Sequence, residues 1–368
     1  MRIVYVANNR LPTEKAHGLQ IVQMCDAFAS LGHDVTLVLP NRKNPITEDI
    51  FTYYDLERRF KVVTIPVIDA VGFGKIGFFL TASMFTKFAS LRYLFKKIDL
   101  FFTRDEIVAA SLGLLGKKVI WESHTGSYNI FAKIACRFAS RIVVITKGLK
   151  DFYVSKDVPA EKITIAHDAV NIEDFTLLEN QQECRTKLAL PENKKIIVYT
   201  GHLYEWKGVY TLAEASSQLP EDFLVVFVGG TARDIQLFTD HYGDVSTIRI
   251  EGHKNHSQIP YYLKAADAVV LPNSAKTELS SVFTSPMKLF EYMASGTLII
   301  TSDVPAIREI LDESSAVFFK ADDVVSLRGT LLTSLRDVDS VGRLAKISQK
   351  LALKYTWQSR AEQITQLI

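Results

Sequence analysis

Cysteine is scarce in this chain. Its 368 residues hold three, Cys25, Cys136 and Cys184, odd in number and far apart. That spacing builds neither a disulfide framework nor a cysteine metal site, so the three read as buried apolar residues of a reducing compartment. An excess of charge of one sign is also lacking, since 43 basic and 41 acidic side chains leave a net +2. A nucleic-acid coat protein would be far more basic, so no nucleic-acid partner is expected. No run reaches the roughly 18 consecutive apolar residues that a membrane-crossing helix needs. The opening MRIVYVANNR goes straight into an apolar strand, without the lead, apolar block and cleavage site of a secretory signal. The expected compartment is therefore the cytoplasm.

What is present is a globular composition, 48% hydrophobic and 23% charged. The length exceeds one domain of about 150 residues. Short apolar runs alternate with helical patterns. Ile3–Ala7 and Val35–Leu39 flank a helix whose apolar face carries Ile21, Met24, Cys25 and Phe28. Strands are expected again at 61–67, 100–103, 118–121, 141–146 and 163–166. Continuous rather than alternating apolar runs mark strands buried on both faces, as in parallel sheets. Around Gln181–Lys195 the chain turns polar, then the rhythm restarts with KIIVYTG, FLVVFVGG, TIRIEG, AVVLP and TLIIT. The expected fold class is α/β, with two doubly wound Rossmann-like domains. Their bounds are expected at 1–185 and 186–345, with 346–368 forming a C-terminal helix that crosses back to the first domain.

Four segments carry candidate chemistry, two at the carboxyl ends of strands, where open α/β sheets bind ligands, and two at helix starts. TGHLYEWKGV puts Lys207 in a strand-to-helix loop, where a lysine can hold a diphosphate. SPMKLFEYMASG opens a helix near Pro286, whose free N–H groups suit an anion. Glu291 lies inside that helix and can accept from ribose hydroxyls. WESHTGSY sets His124 just past a strand end. KAHGLQI sets Gly18 at a helix start, where backbone can approach a ligand closely. Each also has a plainer reading: a solvated loop lysine, an amphipathic helix, a structural histidine and a helix-start glycine.

Other patterns fail on context. GFGKIG (72–77) matches a dinucleotide fingerprint, but no acid follows within 70–98. Asp337–Val338–Asp339 reads as a solvated helix face. His253 and His256 lack a third ligand at usable spacing. No catalytic metal is expected. Residues 70–98 also interleave Lys75, Lys87, Arg92, Lys96 and Lys97 with Phe73, Phe78, Phe79, Phe85, Phe88 and Phe95. Phenylalanines at helical spacing are expected to face the core, with the bases in water. The alternative is a peripheral contact with an anionic membrane at its inner face.

Taken in order, these motifs resemble the retaining GT-B glycosyltransferases of family 4, the glycosyl transferases group 1. The resemblance runs from AHGLQIVQMCDAFASLGHDVTLV through ESH, ITKGLKDFY, HDAVNIEDF and GHLYEWKG to SPMKLFEYMASG and TSDVPAIREI. It implies two domains facing a cleft and a metal-independent, retaining hexosyl transfer without a cofactor. The co-substrate would be a nucleotide diphosphate sugar of UDP or GDP type, the acceptor a hydroxyl of a glycan or lipid-linked molecule. The product would be a surface polysaccharide, glycolipid or other glycoconjugate. It further implies that Lys207 contacts the donor phosphates, Glu291 the ribose, and His124 the donor sugar. Ser285, Pro286, Met287, Lys288 and Leu289 would surround the diphosphate, with Gly18 on the same side. Two positions depart from the family pattern. His202 stands where an arginine is usual, and Phe283 where a sugar-contacting glutamate is usual. The second departure motivates an alternative, a non-catalytic nucleotide-sugar-binding partner in a glycan assembly complex.

Overall fold

The computed structural model describes residues 1–336 and 338–368, with the side chains of 338–340 outside the description. The carboxylates of Asp337 and Asp339 therefore lie outside the described residues. The chain divides into two units, Met1–Asp168 with Trp357–Ile368, and Ala169–Thr356.

The first unit is a seven-stranded sheet. Its strands are β1 (Arg2–Val6), β2 (Asp34–Asn41), β3 (Lys61–Pro66), β4 (Leu100–Thr103), β5 (Val119–Ser123), β6 (Arg141–Val144) and β7 (Ile163–Ile165). Their order is β3-β2-β1-β4-β5-β6-β7, every pairing parallel. The order reverses between β1 and β4, which places a ligand-binding crevice at their carboxyl ends. Helix Ala16–Ser30 buries Ile21, Met24, Cys25 and Phe28. Phe28 and Tyr5 both meet Phe102 edge-on, at centroid distances of 5.6 and 5.0 Å. Cys25, Cys136 and Cys184 are all free and buried.

The second unit is a six-stranded parallel sheet of β8 (Lys195–Thr200), β9 (Phe223–Val228), β10 (Ile248–Gly252), β11 (Ala268–Leu271), β12 (Leu298–Ser302) and β13 (Val317–Phe319). Its order is β10-β9-β8-β11-β12-β13, reversing between β8 and β11. Alternation along each apolar run divides it between two cores. Ile197, Tyr199, Val225 and Phe227 enter one, while Ile196, Val198, Leu224 and Val226 enter the other. The two units are thus Rossmann-like domains, as the apolar runs indicated.

Four expectations are corrected. The domain boundary expected at 185/186 falls at 168/169. The polar stretch after Asn180 is no linker: it forms helix Gln181–Lys187, closed by an Asn180–Glu183 capping box. Arg185 ties this helix to the second unit, donating to the Ala265 carbonyl and pairing with Asp267 at 2.8 Å. Second, the C-terminal segment is split. Helix Val338–Ala352 packs on β12 and on helix Met287–Ser295 in the second unit, and only Trp357–Thr365 joins the first unit, against Ala16–Ser30. Third, β13 was not expected, because three residues on a sheet edge carry little periodicity. Fourth, of the phenylalanines in 70–98 only Phe85 is buried, and the other five are exposed. GFGKIG forms no phosphate loop: it runs through a 3₁₀ turn, Val71–Phe73, into helix Gly74–Tyr93.

Gly208 turns the chain into helix Val209–Ser216 with φ of 72°, and a Cβ there would be driven into the Pro272 carbonyl. Gly32 has a similar φ, 81°, but open space around it. Gly32→Ala should therefore cost only the left-handed penalty, about 1–2 kcal/mol. Gly208→Ala should cost clearly more, because the chain following β11 must also shift. Urea denaturation of the two variants checks the difference; equal losses would mean that the Pro272 contact is relieved cheaply.

Candidate functional site

In the second unit the site is built where β8 and β11 end. Tyr292 accepts a hydrogen bond from the Thr200 amide at 2.8 Å, which fixes helix Met287–Ser295 against the end of β8. Lys288 lies in the first turn of that helix. Lys207 closes the 3₁₀ turn Glu205–Lys207 on the other side. A Cβ built on Gly201 would stand 3.9 Å from each lysine Nζ, so both ammoniums flank one point at the end of β8.

Neither charge is neutralised by a nearby carboxylate in an ion pair among the described residues. The Lys288 Nζ is buried without a hydrogen-bond acceptor, 3.8 Å from the centre of the Tyr199 ring. Lys207 lies near the faces of Tyr204 and Trp206, at 5.8 and 5.3 Å. Burial lowers the pKa of Lys207 to about 8. Burial, then repulsion from Lys207, lowers Lys288 well below the usual ammonium range. Two desolvated cations side by side are costly unless an anion joins them.

The other expected residues surround this pair. Pro286 stands at the N-cap and no side chain caps the helix, which leaves the Met287 and Lys288 amides at an open N-terminus. Leu289 differs, because its N–H is taken up by the Pro286 carbonyl at 2.8 Å. Ser285 is buried beside them. His202 stacks on Tyr204 at 4.9 Å and 7°, and Tyr204 on Trp206 at 6.3 Å, giving a short aromatic ladder. The His202 Nδ1 lies 3.8 Å from Asp234. Glu291, one turn along from Lys288, accepts from His256 at 3.0 Å. Burial pulls His256 down, but the hydrogen bond and charge of Glu291, with the charge of Asp174, raise its pKa overall. His256 was read in sequence only as half of a failed metal pair. Phe283 is buried.

In the first unit the site is centred on Glu122, fully buried at the end of β5. Gln20 donates to its Oε1 at 2.6 Å, and the His124 Nε2 lies 2.5 Å from the same oxygen. Arg360, from helix Trp357–Thr365, pairs with Oε2 at 3.0 Å. Arg360 also donates to the His167 carbonyl at 2.8 Å. Arg104 donates to the Gln20 Oε1 at 2.7 Å. Burial alone would raise the Glu122 carboxyl, but Arg360, His124 and Arg104 hold it well below its usual range. Burial and the Arg104 charge lower His124 to about 4 against the pull of Glu122. At neutral pH the carboxylate accepts only, so the neutral imidazole must carry its proton on Nε2. Its Nδ1 is then an acceptor. Asp168, also buried, is raised to about 6 by burial.

Gly18 sits on helix Ala16–Ser30, and the space of a side chain there is filled by Tyr54, Thr13 and Leu11. The glycine thus admits the chain's own 11–13 loop. Of the first unit's cluster, sequence reasoning found His124. It missed Gln20, Arg104, Glu122 and Arg360, although Glu122 stands within the WESH motif. In the second unit it named Lys207, Glu291 and the Lys288 backbone amide, but not the Lys288 ammonium.

Two family models match the chain in succession. Residues 18–174 match Glycosyltransferase Family 4, and residues 180–350 match Glycosyl transferases group 1. Together the two matches run along most of the chain, and its architecture is the GT-B fold of glycosyltransferases. Among curated relatives, a D-inositol 3-phosphate glycosyltransferase of Xylanimonas cellulosilytica is 22% identical over 55% of this chain and 49% of its own length. A phosphatidyl-myo-inositol mannosyltransferase of Mycobacterium leprae is 25% identical over 54% and 53%. The chain spans about half or less of the length of the curated relatives it matches first. Among solved structures, Anabaena Alr3699/HepE in complex with UDP and glucose superposes with a TM-score of 0.79 at 14% identity, covering 100% of this chain and 98% of that one. A Rickettsia africae glycosyltransferase superposes with 0.75 at 16%, covering 100% and 97%. These likenesses show a shared GT-B fold.

Lys288→Met removes a buried, uncompensated charge and should stabilise the ligand-free chain by about 1–3 kcal/mol. The sign follows from the lowered lysines: folding is penalised wherever the ammonium persists in the folded state. For Lys207 that penalty grows as pH falls from 10.5 toward about 8 and is complete below it. The same Lys288 variant should lose most of the thermal protection that inorganic pyrophosphate gives the wild type. Scanning calorimetry at pH 7 checks both; a destabilised variant that keeps the protection would reject the anion reading. Arg360→Met should instead cost about 3–5 kcal/mol, since it strands Glu122. Adding Glu122→Gln to it should recover part of that loss, read from urea denaturation.

Proposed function

We propose that this chain transfers a hexose from a nucleoside diphosphate sugar of UDP or GDP type to a hydroxyl group, with retention at the anomeric carbon. The acceptor is a glycan or a lipid-linked molecule, and the product belongs to polysaccharide or glycolipid biosynthesis. The observation that carries this reading is the pair Lys207 and Lys288, the first half-buried and the second with its Nζ buried without an acceptor, neither in an ion pair among the described residues, beside an uncapped helix N-terminus. A diphosphate supplies the missing anion and accepts from the Met287 and Lys288 amides as well. The UDP and UDP-glucose bound by the Anabaena relative lend support, as does the phosphatidyl-inositol acceptor in the name of the mycobacterial one.

In this reading Glu291 accepts from the ribose hydroxyls, exchanging or sharing its bond with His256. The aromatic ladder of His202, Tyr204 and Trp206 borders the nucleotide, with His202 in place of a fixed positive charge. His124, neutral and oriented by Glu122, offers its Nδ1 lone pair to a sugar hydroxyl. In the transfer the bond from the anomeric carbon to the phosphate oxygen breaks, and one to the acceptor oxygen forms on the same face. The acceptor's proton passes to the leaving diphosphate. Lys207 and the helix amides stabilise the charge that grows on that leaving group. The chemistry runs without a metal, because the lysines neutralise the diphosphate.

A second reading has one observation in its favour. Phe283, apolar and buried, stands where the family pattern has a sugar-contacting glutamate, which suits a binding module without turnover. Release of free nucleoside diphosphate in the presence of acceptor separates the two.

Titration with UDP, GDP and ADP should give a clear thermal shift with one of them. Lys207→Ala should weaken that nucleotide about tenfold or more, near 1.4 kcal/mol, and Glu291→Ala should weaken the nucleoside more than pyrophosphate. His124→Ala should lower turnover of the sugar donor while nucleotide affinity stays within about twofold. Unchanged binding and kinetics in all three variants would remove the proposed site.

A further inference from the structure

Helix Gly74–Tyr93 is inverted. The face it turns to the core carries Gly77, Thr81, Ala82, Thr86, Ala89 and Ser90, with Phe85 and Tyr93 the large members. Its solvent side carries the bulk. Phe73, just before it, is 84% exposed, Ile76 77%, Leu80 54% and Leu91 54%, and Phe95, just after it, is 95% exposed. Scattered apolar residues on a surface are ordinary, whereas a contiguous set on one helix is not.

This surface is held in shape. A Cβ at Gly77 would be driven into the Ala70 carbonyl, so the glycine lets the 68–73 segment lie directly on the helix. The Thr81 hydroxyl accepts from the Ala70 amide and reaches the Ile68 carbonyl, both at 3.1 Å. Phe79 meets Phe131 of helix Ile130–Phe138 at 5.9 Å, which joins the patch to its neighbour. The glycines of GFGKIG thus fix an apolar tip instead of a phosphate loop.

The charge on the segment identifies the occupant. Lys75, Lys87, Arg92, Lys96 and Lys97 fall within 70–98, which holds no acid. Acids stand at its two borders, where Asp69 pairs with Arg42 at 3.1 Å and Asp99 accepts from the Arg2 amide at 2.7 Å. A second copy seated on the same patch by a two-fold axis would set these bases against each other. An anionic bilayer satisfies both features at once, taking the apolar side chains at the acyl boundary and the bases at its headgroups. We infer that the exposed face of helix Gly74–Tyr93, with the 68–73 segment ahead of it, seats the first unit on an anionic membrane surface. No helix among the described residues is long and apolar enough to cross a membrane, so the contact is peripheral. This inference stands apart from the transfer reading, because it uses none of the donor-site residues.

The test is co-sedimentation of the full chain with vesicles of phosphatidylcholine containing about 30% phosphatidylglycerol, against pure phosphatidylcholine, the first composition matching an anionic leaflet. Binding to the anionic vesicles should exceed binding to the neutral ones about tenfold and fall as salt is raised. Phe73→Asp with Leu80→Asp should reduce partitioning about tenfold or more, and Lys96→Glu with Lys97→Glu should reduce it and flatten the salt dependence. Both pairs lie on the solvent side, so unfolding midpoints should match the wild type, which separates lost binding from lost fold. Failure of the wild type to bind anionic vesicles at low salt would overturn the inference. So would undiminished binding by both double variants, or a lipid-free dimer in light scattering that the Phe73/Leu80 variant dissolves.

Discussion

Every described strand pairing in both sheets is parallel, and the chemistry of this chain is arranged around that constraint. A parallel pair needs a crossover connection, so each strand is covered by helices on its faces and must be apolar on both sides. Polar function is thereby excluded from the strand bodies and driven to their carboxyl ends. That is where Lys207, Lys288, Glu122 and His124 all stand. The two sites share this origin although they share no residue pattern. In each unit the site borders the strand pair at which the order reverses, or the strand next to it.

The two sites treat charge in opposite ways. The first unit neutralises its own. Glu122 is surrounded by Arg360, Gln20 and His124, and two of these donors are themselves held, Arg360 by the His167 carbonyl and Gln20 by Arg104. Such a network fixes the tautomer and orientation of His124 without leaving it charged. The second unit leaves its charge open. Lys207, half-buried, and Lys288, its Nζ buried, stand next to each other near aromatic faces. Cation–π contact offsets desolvation only in part. A protein selected for stability alone would place methionine or leucine at 288; the lysine makes sense as half of a binding interaction completed by a ligand. A preorganised surplus of positive charge also suits a step in which negative charge grows on a leaving group, because nothing has to reorganise when it does.

The strands were legible because a continuous apolar run of four to six residues, bounded by Gly and Pro, is too short for a buried helix and suits a strand covered on both faces. Lys207 and Glu291 could be singled out because short motifs hold them in one loop and one helix, whereas the approach of the Lys288 ammonium to Lys207 joins two motifs far apart in the chain and left no sequence signal. Arg360 was not, since its partners lie at the other end of the chain and its own helix reads as an ordinary polar amphipathic segment. The boundary was misplaced for a related reason. The 181–195 stretch is polar in sequence, yet its capping box and Arg185 dock it firmly on the second unit. Polarity marks solvent on one face of a short helix as readily as it marks a linker.

The inverted helix shows where pattern reading fails most instructively. Helical spacing of phenylalanines predicts a buried face only if the opposite face is the one that water prefers. In Gly74–Tyr93 the small residues are needed inside, because the 68–73 segment and the neighbouring helix approach closely at Gly77, Thr81 and Ser90. Steric demand at the core face thus displaces the large side chains outward, where they would destabilise a protein surrounded only by water. Beside five bases they suit the anionic membrane surface proposed for this face. The same logic accounts for the two lysines of the second unit. In each case the chain carries an exposed or under-compensated feature, apolar in one unit and ionic in the other, and the partner proposed for it, an anionic membrane surface or a diphosphate, would supply the complement that water does not.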